Sequence, residues 1–198
     1  MEQALRSSTG LCSINIRFWD AEHQPPRAVL TIMHGMAEHV DRYDDFAGFL
    51  AQNGIAVAAA DMASHGKSIS ENGIRGYFGP ENGWDRLIDD ALSVHKVIKQ
   101  AYPSVPCFLL GHSMGSFLAR SYAARHGDDI DAFVFCGTDC KCNAERIGVF
   151  HGDCRFKTDD IGRQINMIIR RCQHVTNLFE HFSVFAAESH KRIVPIGK

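Results

Sequence analysis

The stretch Phe108-Leu109-Leu110-Gly111-His112-Ser113-Met114-Gly115-Ser116 constrains this chain more than any other. The apolar run from Cys107 to Leu110 reads as a short buried strand, and Phe117 to Ala124 reads as a helix. Gly111-x-Ser113-x-Gly115 therefore falls at a strand-to-helix corner. A corner this tight leaves no room for a Cβ two residues to either side of the serine, and the helix that follows aims its free N–H groups at the reaction centre. This is a nucleophile elbow, and it would hold Ser113 up into a cleft.

The rest of the chain supplies a sheet for the elbow to stand on. Cys12, Ile14, Ile16 and Phe18 alternate with Ser13, Asn15 and Arg17, the period of a strand with one buried face, and Pro25-Pro26 ends it. Ala28 to Met33 is apolar without alternation, as expected of a parallel strand covered on both sides. Tyr43, Phe46, Phe49 and Leu50 fall at helical spacing before Asn53-Gly54, which reads as a C-cap. Ile55 to Ala60 is a second buried strand. From Trp84 to Ala101 an apolar stripe of Trp84, Leu87, Ile88, Ala91, Leu92, Val94, His95 and Ile98 marks an amphipathic helix, with Asp85, Arg86, Asp89, Asp90, Lys96 and Lys99 mostly away from it. Ala132 to Cys136 is one more strand. Strands alternating with helices predict an α/β fold with a doubly wound, mostly parallel sheet. A length of 198 residues with 45% hydrophobic content suits one domain with a sizeable core.

Composition excludes some partners. The net charge of −2 offers no electrostatic footprint for nucleic acid or an anionic membrane surface. The segment Met1 to Arg6 has no apolar core of signal-peptide length and no later run is long enough to span a bilayer, so the expectation is a cytoplasmic protein without stable membrane insertion. Seven cysteines in such a chain read as reduced thiols. The crowding of Cys136, Cys140, Cys142 and Cys154 near His151 lacks a Cys-x-x-Cys knuckle, and neither a metal nor a cofactor is expected. Nothing sets the oligomeric state.

Two loops join the elbow at the carboxyl edge of the sheet. His34-Gly35-Met36-Ala37-Glu38-His39 follows the strand Ala28 to Met33, where open α/β sheets place backbone N–H groups towards ligands. The N–H of Met36 and that of Met114 are read as an oxyanion hole, with Gly111, His112, Gly115, His34 and Gly35 as supports of the elbow. Asp61 to Ser68 and Asn72 to Pro80 are glycine-containing loops expected to support the site. His39 and His65, as loop histidines, are expected to be hydrogen-bonding partners and not bases.

Together these pieces resemble a known family. His34-Gly35-Met36-Ala37-Glu38-His39, Asp61-x-x-x-His65-Gly66-x-Ser68, Arg75-Gly76-Tyr77 and Gly111-His112-Ser113-Met114-Gly115 are similar, in order and spacing, to motifs of the α/β-hydrolases. Within that superfamily they resemble the monoacylglycerol lipase and lysophospholipase group, also described as serine aminopeptidase-like hydrolases. The resemblance covers about residues 11–138. It implies a serine hydrolase cleaving carboxylic esters of glycerides or lysolipids, with Ser113 as nucleophile, Met36 and Met114 as oxyanion donors and a small lipid ester as substrate. The family usually has a glycine where Ser64 or His65 stands.

After Thr138 the resemblance stops. A serine needs a base that a carboxylate orients, and in this fold the partners follow in the order Ser, Asp, His. The family places them after two further strands and a lid insertion, for which the stretch after Ser113 is too short, and the usual Asp and His are not identifiable. Residues 139–198 read instead as a divergent, cysteine-rich and helical tail. Ile161, Ile165, Ile168, Cys172, Val175, Phe179 and Phe182 form a heptad-like stripe beginning near Thr158 or Asp159. One expectation is a truncated or frame-shifted hydrolase, an incompetent remnant acting at most as a binding domain, with an unpaired sheet edge after Ala132 to Cys136. The other is a genuine tail that supplies a base from His151, His174, His181 or His190, oriented by Asp153, Asp159 or Asp160.

Overall fold

The computed structural model describes residues 1–136 and the backbone of one further strand, Ile165–Ile169. In chain order the strands are β1 Glu2–Arg6, β2 Ser13–Trp19, β3 Ala28–Met33, β4 Ile55–Ala60, β5 Cys107–His112, β6 Ala132–Cys136 and β7 Ile165–Ile169. The helices are α1 Asp44–Gln52, α2 Gly83–Ala101 and α3 Met114–His126. The seven strands form one sheet in the order β1-β2-β4-β3-β5-β6-β7. Its centre is parallel: β3 pairs with β4 and β5, and β5 with β6. The flanks are antiparallel, β1 with β2, β2 with β4, and β7 with β6. The expected α/β architecture is thus observed, with a parallel centre inside a sheet that is mixed as a whole, three pairings being parallel and three antiparallel.

The continuous apolar runs are explained by the two covers of the sheet. Along β3, Val29 and Met33 face one core cluster while Ala28, Leu30 and Ile32 face the other; along β5, Cys107 and Leu109 oppose Phe108 and Leu110 in the same way. The first cluster takes Leu87, Ile88, Val94 and Ile98 of α2 with Leu118, Ala119 and Tyr122 of α3, and the second takes Phe46, Ala47 and Leu50 of α1. Period-two strands therefore need no polar face in the centre of the sheet. In β2, next to the edge, only Ile14, Ile16 and Phe18 are buried and the alternation survives.

The structure departs from the sequence reading in four places. Glu2–Arg6 pairs with Ser13–Trp19 as a hairpin arm, a strand for which the polar Glu-Gln-Ala-Leu-Arg shows no buried face. Asp90, placed on the polar side of α2, is buried, because Ser7 Oγ donates to its Oδ2 at 2.6 Å and the Ser8 N–H donates to its Oδ1. Part of the stripe expected as helix from Asp159 onward is strand: Ile165-Asn166-Met167-Ile168-Ile169 runs antiparallel to β6, with Cys136 opposite Ile165 and Ala132 opposite Ile169. A short apolar run rich in β-branched isoleucine fits either period, and pairing decides which is used. The expected unpaired edge beyond β6 is consequently absent, since β7 satisfies that row of N–H and C=O groups. The rest of the tail stripe, Cys140, Cys142 and Cys154, and all the candidate bases and orienting acids after Thr138 lie outside the described residues, as does the truncation or frame shift inferred there.

Candidate active site

Ser113 stands between the end of β5 and the start of α3 with φ 51° and ψ −119°. A positive φ is costly for any residue with a Cβ, on the order of 1–3 kcal/mol, and persists only where the surroundings impose it. Here the Ser113 N–H donates to the Cys136 carbonyl at 2.8 Å, and the Ser113 carbonyl accepts from the Ser116 N–H at 2.9 Å and from Ser116 Oγ at 2.6 Å. The flanking glycines are required by contact. A Cβ on Gly111 would run into the Gly115 carbonyl, and one on Gly115 into the carbonyls of Met33 and His34.

The turn after β3 lies directly against this corner. A Cβ on Gly35 would come 3.1 Å from the Ser113 Cβ. The buried His34 ring holds the base of the turn: its Nδ1–H donates to the Gly35 carbonyl at 2.8 Å and its Nε2 accepts from the Met62 N–H at 2.9 Å. That pair of bonds selects the neutral ring, and burial pushes its pKa below the ordinary histidine value. Met36 itself is exposed, whereas Met114 is buried as the first residue of α3, where a helix has N–H groups with no intrahelical acceptor.

Glu38 closes the turn. Its Oε2 accepts hydrogen bonds from the Gly35 N–H at 2.9 Å, the Tyr43 hydroxyl at 3.0 Å and His112 Nδ1 at 3.1 Å. Burial alone would raise its carboxyl, but these donors outweigh it and hold the group below the usual carboxylate range. The burial of Tyr43 and the adjacent Glu38 charge push the phenol far above its ordinary value, so it stays a donor.

The Asp61 loop is held on the other side of His34. The Asp61 carboxylate accepts the Val40 and Lys67 N–H groups, each at 2.8 Å, and a Cβ on Gly66 would collide with it. Ser64 has φ 61°, a conformation that glycine adopts freely, and its Oγ donates to the Tyr77 carbonyl at 2.7 Å. His65 is buried, bonded through Nδ1 to the Ala63 carbonyl at 3.0 Å, and its ring stacks on Phe78. His39 is exposed. Exposed apolar side chains include Met36, Ile74, Tyr77, Trp84 and Phe117; a Cβ on Gly76, between Ile74 and Tyr77 in the chain, would lie 3.9 Å from the Met36 sulfur, and Trp84 Nε1 donates to Ser121 Oγ at 3.0 Å, one turn along α3 from Phe117.

The structure thus brings Ser113, Gly111, His112, Met114, Gly115, Gly35 and His34 together at one corner of the sheet. Sequence reasoning missed the organising part of Glu38, which it quoted only within a motif; the available signal was a lone carboxylate just past the end of a central strand. Among the described residues no group of three or more His, Cys, Asp or Glu could hold a metal ion. No helix among them is long and apolar enough to cross a membrane.

Comparison with known proteins bears on the family and the fold. The family model described as serine aminopeptidase, S33, matches residues 24–158, reaching past Thr138 where the resemblance read from the residues ends. The chain is 38% identical over 94 residues to a monoglyceride lipase homolog of monkeypox virus, covering 48% of this chain and 32% of that protein. It is 34% identical over 129 residues to the monoglyceride lipase of Rattus norvegicus, covering 65% and 40%. The chain spans only about a third to two-fifths of the curated relatives it matches first. Among solved structures, a thermostable carboxyl esterase from Bacillus coagulans, in complex with glycerol, is similar with TM-score 0.65 and 32% identity, over 70% of this chain and 44% of that one.

Proposed function

The chain belongs to the serine aminopeptidase, S33, family of α/β-hydrolases, and from that premise we propose that it is a serine ester hydrolase acting on monoacylglycerol-like or lysophospholipid-like substrates. The observation that carries this reading is the backbone of Ser113, a serine held at φ 51° between two glycines whose Cβ positions are filled by neighbouring carbonyls. Strain of this kind is kept where a side chain must be presented.

In the proposed reaction Ser113 Oγ attacks the ester carbonyl and gives up its proton to a base, forming a tetrahedral intermediate. The Met36 and Met114 N–H groups bind the oxyanion. Collapse expels the alcohol, which takes a proton, and leaves an acyl-enzyme on Ser113 that water hydrolyses by the reverse sequence to acid and free serine. The ring nitrogens of His34 are both spent on backbone groups, which argues against it as the base. The sequence candidates His151, His174, His181 and His190 lie outside the described residues. A lipid ester is favoured by the exposed apolar side chains Met36, in the turn beside the elbow, and Phe117, one turn into α3, and by the likeness to monoglyceride lipases.

Fluorophosphonate labelling tests the proposal, because the reagent reports an activated serine without requiring the right acyl chain. The expected result is labelling of the full chain and none of Ser113→Ala. A folded chain that stays unlabelled would refute the enzyme reading and leave a binding domain of hydrolase ancestry.

A further inference from the structure

We propose that Glu38 is a positioning residue that locks the two halves of the oxyanion hole to each other; the proposal rests on the reading of Met36 and Met114 as its donors. Those donors come from different parts of the chain, the turn after β3 and the first residue of α3. Their separation must be correct to a fraction of an ångström, since a preorganised donor acts only at the position the oxyanion will occupy. No hydrogen bond from one donor to the other can set it, because both N–H groups must remain free for the substrate.

One carboxylate oxygen provides the missing link. Glu38 Oε2 takes the N–H of Gly35, the residue before Met36, at 2.9 Å, and the Nδ1 of His112, the residue before Ser113, at 3.1 Å. The Tyr43 hydroxyl, at 3.0 Å, fixes the carboxylate from the short helical turn Val40–Tyr43. An ionised carboxylate accepts only, so His112 Nδ1 must carry a hydrogen and the ring is oriented by the contact. Charge-assisted bonds of this type are about twice as strong as neutral ones. The turn and the elbow are thus joined through a single carboxylate oxygen.

The test combines labelling kinetics with amide hydrogen exchange on the full chain. Glu38→Ala should lower the inactivation rate constant of Ser113 by fluorophosphonate about 100-fold, comparable to losing one oxyanion donor, with the reagent's binding constant changed by no more than about twofold. Glu38→Gln keeps the shape and one acceptor, and should fall between Glu38→Ala and wild type. Exchange of the Gly35 amide should accelerate at least about tenfold in Glu38→Ala, because its acceptor is gone. Asp90→Ala, which removes the acceptor for Ser7 and Ser8 and touches none of the elbow or turn bonds described above, should leave the rate constant unchanged. Labelling of Glu38→Ala at the wild-type rate, or an equal loss in Asp90→Ala, would overturn the proposal. If the wild-type chain itself does not label, the enzyme reading fails, and Gly35 exchange still decides the clamp: faster exchange in Glu38→Ala supports it and unchanged exchange overturns it.

Discussion

At the scale of single residues, the site is made by positions where only one side chain, or none, fits. Gly115 is the sharpest case, since any Cβ there meets the carbonyls of Met33, the last residue of the central strand β3, and His34, just beyond it. Gly115→Ala should cost about 3 kcal/mol, the upper range for forcing atoms into a packed site, read as a lower urea midpoint at unchanged slope. Histidines set a second residue-scale property. Burial lowers the pKa of His34 and of His95, whose Nδ1 lies 3.9 Å from the buried Cys107 thiol. A histidine whose folded pKa lies below its unfolded one binds its proton more readily when unfolded. Its contribution is therefore complete above about pH 6.5 and is lost as pH falls from there towards the folded values. Urea unfolding across this window should show stability falling with acid, and His95→Gln should flatten the fall; a stability independent of pH between about 7.5 and 5.5 would contradict the assignment.

At the scale of elements, isolated polar groups staple one piece of secondary structure to another. Asp90 on α2 receives Ser7 Oγ and the Ser8 N–H, while Ser7 Oγ is also within 2.7 Å of Thr9 Oγ1, and so the β1–β2 arm is tied to the helix layer. Asp90→Ala leaves these buried donors unmatched and should destabilise the chain by about 2 kcal/mol by chemical denaturation. The sheet edge gives a second expectation. β7 covers β6, so a chain ended at Cys136 exposes a strand of Ala-Phe-Val-Phe-Cys whose ladder groups have no partner on that side. Such a chain should associate at concentrations where the full chain does not, as measured by light scattering at equal molarity. Strand and helix positions in the central sheet were readable because burial on both faces produces long uninterrupted apolar runs; β3, β4 and β6 start and stop where those runs do. β1 and β7 were not readable, because a flanking strand is specified by the neighbour it pairs with more than by its own pattern.

At the scale of the molecule, the parallel strands deliver their following loops to one edge, and exposed apolar side chains on such a loop, Ile74, and on α3, Phe117, give the proposed activity a direction. Ile74→Ser with Phe117→Ser should raise KM for long-chain monoacylglycerols roughly tenfold, about the value of one lost apolar contact site, while leaving short-chain esters nearly unaffected. Equal effects on both would remove these two side chains from substrate recognition. The residues alone determined the fold class and the strand-to-helix corner at Ser113, because hydrophobic periodicity and the glycine spacing around Ser113 are local consequences of backbone geometry. Only the tertiary structure decided what holds the site together. It put Glu38 within hydrogen-bond reach of both Gly35 and His112, residues three and seventy-four positions away in the chain, and it buried Asp90 under the N-terminal arm. Such contacts depend on which strands become neighbours, and a carboxylate in a loop looks the same in sequence whether it meets water or three donors.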